Sequence, residues 1–177
     1  MTLSFSQKWP KSMPKHLAGR NTLFPLKVLK SLEQEYRAQM HAFKMKTFFS
    51  YDRFEGFGTP EAHGIKPKLH TIREDKSQRW YAGRDIHFVI NNRTKARYQF
   101  APLIPCINTQ EIFFTKPLRG RRIEVSIDDK YLYHSDLNQL AINDGFTCFE
   151  DFEAYFKPQI PETGICLTLI HWTNFNY

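Results

Sequence analysis

Cysteine is scarce in this chain, with three in 177 residues, Cys106, Cys148 and Cys166. Their odd number and wide spacing supply neither a disulfide framework nor a paired zinc motif, and they read as buried thiols in a reducing compartment. The seven histidines include no H-x-H or H-x-x-x-H pair, so no structural metal and no cofactor is expected. Long apolar runs are also missing. The longest largely apolar stretch, Ile165 to Ile170, is far too short for a membrane span. No amino-terminal stretch combines a basic flank, an apolar core and a small-residue cleavage site. A cytoplasmic protein without membrane association is the expectation. No internal repeat, low-complexity segment or linker interrupts the chain, which reads as a single domain over residues 1–177.

Acidic residues are few in the middle of the chain and plentiful near its end. Residues 1–64 carry ten Lys/Arg against five Asp/Glu, residues 65–123 thirteen against four, and residues 124–177 two against nine. The sums are +5, +9 and −7. A basic middle gathered on one face attracts phosphate and releases counterions, whereas a solvated basic surface does neither specifically. Aromatics are abundant at 15%, with sixteen Phe, so a substantial core is available.

Periodicity marks the elements. Leu3 and Phe5 alternate with polar neighbours, giving a short first strand over Thr2 to Ser6. Leu29, Leu32, Tyr36, Met40 and Phe43 recur at three- and four-residue spacing behind Pro25, which predicts one helix from Pro25 to about Phe43. Tyr51 to Gly64 reads as a surface loop. Ile86, Phe88 and Ile90 alternate on a strand, Asn91 to Pro105 is a basic hairpin or excursion, and Thr109–Phe114 and Arg122–Asp128 add two more strands. Ser135 or Asp136 is expected to cap a helix ended by Gly145, and Thr147 with Glu150 to form a capping box for a helix burying Phe149, Phe152, Tyr155 and Phe156. Ile165 to Trp172 closes the fold as a strand. Short strands separated by regular turns suggest a small barrel.

The most informative stretch is Lys66 to Gly83, K-P-K-L-H-T-I-R-E-D-K-S-Q-R-W-Y-A-G. Three motifs follow in order: Lys68-Leu69-His70-Thr71-Ile72-Arg73, Gly83-Arg84-Asp85-Ile86, and Asn143-Asp144-Gly145-Phe146 ahead of the second late helix. In that order they resemble the ASCH domain of the PUA-like superfamily. The resemblance covers about residues 65–172 with the first strand and helix, and implies an α+β fold, a mixed β-barrel with flanking helices. The chain departs from compact members by an enlarged section over about 8–64 and an insertion over about 91–109, both basic.

The resemblance implies binding of RNA, a nucleotide or a modified nucleoside. Some members of the family look like amidohydrolases acting on N4-acetylcytidine, with a K-x-x-T pocket and a later acid. Lys68 and Thr71 match that spacing, Asp144 is the best candidate for the acid, and Glu150 is the weaker one. In chemical terms, a threonine hydroxyl needs a base, and a lysine serves only when burial or cationic neighbours depress its pKa. Thr71 is equally at home as a packed strand residue. Independently of catalysis, Lys66, Arg73, Arg79 and Trp80 are candidates for gripping phosphate and stacking on a base, against a reading of Trp80 as a core plug. Arg93, Lys95 and Arg97 with Tyr98 form a basic–aromatic cluster outside the pocket, for phosphate contact or for solvent. A lone His70 reads as a packed or solvated side chain. A third reading makes the two basic insertions contact surfaces of a protein-interaction or inhibitory module.

Overall fold

The computed structural model describes residues 1–47, 49–117 and 122–177. In chain order the elements are β1 (Thr2–Ser4), α1 (Phe24–Glu35), α2 (Arg37–Thr47), β2 (His70–Arg73), β3 (Asp85–Ile90), β4 (Tyr98–Gln99), β5 (Ile104–Pro105), β6 (Asn108–Thr115), β7 (Glu124–Ile127), β8 (Lys130–Tyr131), α3 (His134–Asn143), α4 (Phe149–Phe156) and β9 (Ile165–His171). The mixed α+β class is as expected. The strands make two open sheets, and neither closes into a barrel among the described residues. The chain divides into two compact units: Met1–Lys68 with Gly83–Pro105, and Leu69–Ala82 with Cys106–Tyr177.

The first unit is built on β3. One edge pairs in parallel with β1, in the register Leu3↔Phe88, and the other takes β4 and β5 antiparallel at its two ends. Ile86, Phe88 and Ile90 are essentially inaccessible, as their alternation predicts. Phe5 stacks on Phe88 at 6.0 Å, and Phe100 meets Phe5 edge-on at 6.0 Å and Phe88 at a tilt at 6.2 Å. Against this sheet core the sequence supplies α1, whose Val28, Leu29 and Leu32 are buried.

The predicted single helix from Pro25 to Phe43 is two helices. Tyr36 leaves the helical region at φ −126° and ψ 43°, and its N–H still reaches Leu32 O. The chain then restarts as α2 and buries Met40. Lys44 on α2 forms an ion pair with Glu33 on α1. Eleven residues of unbroken helix would hold those two positions ~16 Å apart, so the contact requires the break.

The second unit holds the antiparallel sheet β2-β9-β6-β7-β8. Its longest ladder pairs β6 with β9 from Asn108↔His171 to Phe114↔Ile165. Gln110, Ile112 and Phe114 alternate onto the buried face, where Phe114 stacks on Phe156 of α4 at 5.2 Å. Helix α3 stops as its sequence dictates. Gly145 takes φ 90°, its N–H reaches Ile142 O at 2.9 Å, and the N–H of Phe146 reaches Ala141 O at 2.8 Å. That is the reciprocal pair of a Schellman stop, which a residue with a Cβ would strain.

The predicted caps are replaced by other groups. Helix α3 starts at His134, one residue before Ser135, with Tyr133 in the capping position and no side-chain cap. For α4 the capping position is Cys148, and the Phe149 N–H is taken by Asn138 Oδ1 from α3 at 3.2 Å. Glu150 instead pairs with Arg122 at 2.8 Å. A neighbouring helix thus supplies the acceptor that local sequence was expected to provide.

Candidate functional site

The K-x-x-T match divides between the units: Lys68 belongs to the first and Thr71 to the second. In the first unit, the Lys68 N–H donates to Lys27 O at 3.0 Å, fixing residue 68 against α1. Its side chain is 2% exposed, and Nζ lies 5.0 Å from the centre of the Phe24 ring. Lys27 approaches the same ring, with Nζ at 5.9 Å. Two ammonium groups therefore share one aromatic ring at the start of α1. Burial pulls the Lys27 amine down to about 8, since desolvation disfavours the charged form. Phe24 owes its position to Thr22, whose hydroxyl accepts the Phe24 N–H at 3.1 Å, and to Trp9, which meets its ring edge-on at 4.9 Å. The third lysine of the segment, Lys30, donates to Ile65 O at 2.6 Å and ties down the approach to Lys68.

In the second unit the pairing His70↔His171 and Thr71↔Ile170 sets the two β2 residues on opposite faces. Thr71 is 2% exposed and shares its face with Arg73, which is half-buried. His70 takes the other face, with Asp144 Oδ1 3.6 Å from its Nδ1 and the Tyr177 hydroxyl 2.8 Å from its Nε2. Asp144, the C-cap residue of α3, is thus brought to His70, while the hydroxyl of Thr71 addresses the opposite side of the strand. The proposed nucleophile and acid do not converge within this unit. Glu150, the weaker candidate, is exposed on the surface with Arg122.

His70 sits in a buried polar set that the sequence did not announce. Asn143 Nδ2 donates to the Tyr177 hydroxyl at 3.1 Å, and Gln139 Nε2 donates to Asn143 Oδ1 at 2.7 Å. The Tyr177 hydroxyl thus accepts from Asn143 and lies within hydrogen-bond distance of His70 Nε2. Tyr177 is held in turn by Gln110, which accepts its N–H at 3.1 Å and donates to Asp128 at 2.7 Å. Burial pushes the Tyr177 hydroxyl far above its usual range, with Asp144 adding to the rise against an opposing Asn143 bond. His171 lies beside His70 with ring centres 5.3 Å apart. Burial first and His70 second lower His171 to about 3, against smaller opposing contributions from Asp128 and the Phe175 backbone. It stays neutral at every physiological pH.

The remaining predicted residues scatter. Trp80 is 7% exposed, so it is a core plug and presents no open face for stacking. It is set by Asp75 Oδ2, which accepts the Trp80 N–H at 2.8 Å, while Arg79 projects outward 3.8 Å from the same carboxylate. Lys66 is exposed. Arg93, Lys95 and Arg97 are all exposed on the turn joining β3 to β4, and Tyr98 follows them, half-buried, with the Arg53 guanidinium 4.6 Å over its ring. Arg53 and Phe24 were missed because neither lies in a recognisable motif. The spacing signal for Phe24 was its place directly before Pro25. Among the described residues no group of three or more His, Cys, Asp or Glu is arranged to hold a metal ion, and no helix is long and apolar enough to cross a membrane. No family model, curated protein or solved structure matches the chain.

Proposed function

We propose that this protein is a PUA-like module of the ASCH kind that binds RNA, a nucleotide or a modified nucleoside, with Lys68 among the groups that line its binding site. The observation that carries the reading is the burial of Lys68 at 2% exposure against Phe24, with Lys27 on the same ring. A lysine serving only as a solvated strand end keeps its ammonium in water, because desolvating a charge is costly unless the site offers compensation. Ammonium groups gathered around an aromatic ring give a phosphate or a polarised carbonyl a charged partner and a base an apolar one.

Hydrolysis of an acylated cytidine is the second reading. It draws on the K-x-x-T spacing and on the presence of Asp144, but the opposite facing of Thr71 and His70 weighs toward holding a ligand over cutting one. The test is calorimetric titration with cytidine, cytidine monophosphate and N4-acetylcytidine, with product analysis of the last. We expect saturable binding that Lys68→Ala and Lys68→Met weaken by about 10- to 100-fold, the loss of one charge-assisted hydrogen bond. Binding unchanged in both variants, or absent at low salt for every ligand, rules the proposal out. Release of acetate that depends on Thr71 restores the hydrolytic reading.

A further inference from the structure

The first unit carries a second basic and aromatic surface, one that includes neither Lys68 nor Phe24. Between Phe49 and Phe57 the chain lays a run of rings outward from the core. Phe54 is buried at 3% exposure and meets the core ring Phe100 edge-on at 5.7 Å. Tyr98 lies 6.4 Å from Phe54 and 6.5 Å from Phe49. Phe49 meets Tyr51 at 5.0 Å, and Tyr51 stacks on Phe57 at 4.9 Å with the planes 16° apart. The outermost ring, Phe57, is 46% exposed.

Cations are interleaved with these rings. Lys44 Nζ lies 4.8 Å over Tyr51 and 5.3 Å over Phe49, and the Arg53 guanidinium lies over Tyr98. The acids of the segment are engaged locally: Glu33 by Lys44 and the Tyr51 hydroxyl, Glu55 by Lys8, and Asp52 by the Ser50 hydroxyl. In the adjoining β3–β4 turn, Thr94 donates through its hydroxyl to Asn91 O at 2.7 Å and accepts from the Ala96 N–H at 3.2 Å. That turn presents Arg93, Lys95 and Arg97 to solvent. The unit as a whole has sixteen Lys/Arg against six Asp/Glu, a charge of +10.

We propose that this surface is a platform for single-stranded nucleic acid, with one base stacked on Phe57, another on the Arg53–Tyr98 pair, and the phosphate backbone along Arg93, Lys95 and Arg97. An exposed ring beside cations accepts any base through its π-face, and an arginine plane already stacked on a ring offers its other side in the same way. A duplex, with its bases stacked internally, cannot use the rings. The inference takes the ligand's chemistry from the function proposed above but none of its residues.

The test is fluorescence anisotropy with labelled oligo-U and oligo-dT of about eight nucleotides, a span suited to such a groove, and a duplex of the same length. Single strands are expected to bind more tightly than the duplex, with the U and dT arms deciding between RNA and DNA as the source. Phe57→Ala is expected to weaken single-strand binding by about 5- to 100-fold. Tyr98→Ala acts similarly and Tyr98→Phe restores affinity, which separates a stacking role from a folding defect. Replacing Arg93, Lys95 and Arg97 together by Ala lowers the salt dependence by about two counterions. Duplex binding as tight as single-strand binding, or wild-type affinity in the Phe57 and triple variants, overturns the platform. If Phe57→Ala removes oligonucleotide binding while Lys68→Ala leaves it intact, the platform stands whatever the cytidine monophosphate titration shows for the Lys68 site; loss of oligonucleotide binding in Lys68→Ala with wild-type affinity in Phe57→Ala overturns the platform alone.

Discussion

The two units bury polar groups in opposite ways. In the first, Lys68 and Lys27 are cations set against an aromatic ring, within a unit whose charge is +10. In the second, with nine Lys/Arg against twelve Asp/Glu and a charge of −3, His70, Tyr177, Asn143 and Gln110 are joined by hydrogen bonds. Buried polar groups bonded to one another in this way help to specify a fold. The cations gathered about the Phe24 ring are the ground on which ligand binding is proposed for the first unit.

Acidification gives the largest expected effect and strikes the second unit. Folded His171 declines a proton down to about pH 3, whereas the unfolded chain accepts one near its ordinary value. Stability is therefore complete above about pH 6.5 and falls as the pH drops toward 3, by about 1.4 kcal/mol per unit. Hydrogen exchange followed against pH should show β2 and β9 losing protection first, and His171→Asn should flatten the slope. Equal loss in β1 and β3 would remove the distinction between the units. Tyr177→Phe comes next: it leaves His70 Nε2 and Asn143 Nδ2 without their shared partner, for a cost of about 1 to 3 kcal/mol in urea unfolding. The smallest change is a gain. Lys27→Met removes an amine whose burial lowers it to about 8, so the penalty is present below pH 8 and fades as pH rises toward 10.5. At neutral pH that shift corresponds to ~3 kcal/mol, and loss of the cation–π contact with Phe24 offsets up to ~2 kcal/mol of it, so the variant should gain about 1 kcal/mol, with weaker nucleotide binding. Unchanged stability would mean that Lys27 is better solvated than its position implies.

Local pattern carried much of this structure. The alternation of Ile86, Phe88 and Ile90, the aromatic stripe of α4 and the stop at Gly145 are properties of neighbouring residues, and each was legible. What escaped depends on distant partners. The α1–α2 break answers an ion pair eleven residues apart, and the α4 cap comes from Asn138 on another helix. The same reason hid much of the candidate site. Lys68 precedes β2, so strand spacing carried across it could not give the facing of Thr71. His70 looked isolated because its partners Tyr177 and Asp144 come from more than seventy positions away. Trp80 offered two readings, and its burial at 7% exposure decides for the core.

The most direct test of ligand binding in the first unit is a map of backbone amide shifts on titration with a single-stranded oligonucleotide and, separately, with cytidine monophosphate. The nucleotide should perturb Phe24, Lys27 and Lys68, and the oligonucleotide should also perturb Tyr51 to Phe57 and Arg93 to Tyr98. Perturbations gathered instead around His70, Asp144 and Tyr177 would contradict the account and make the buried network of the second unit the ligand site.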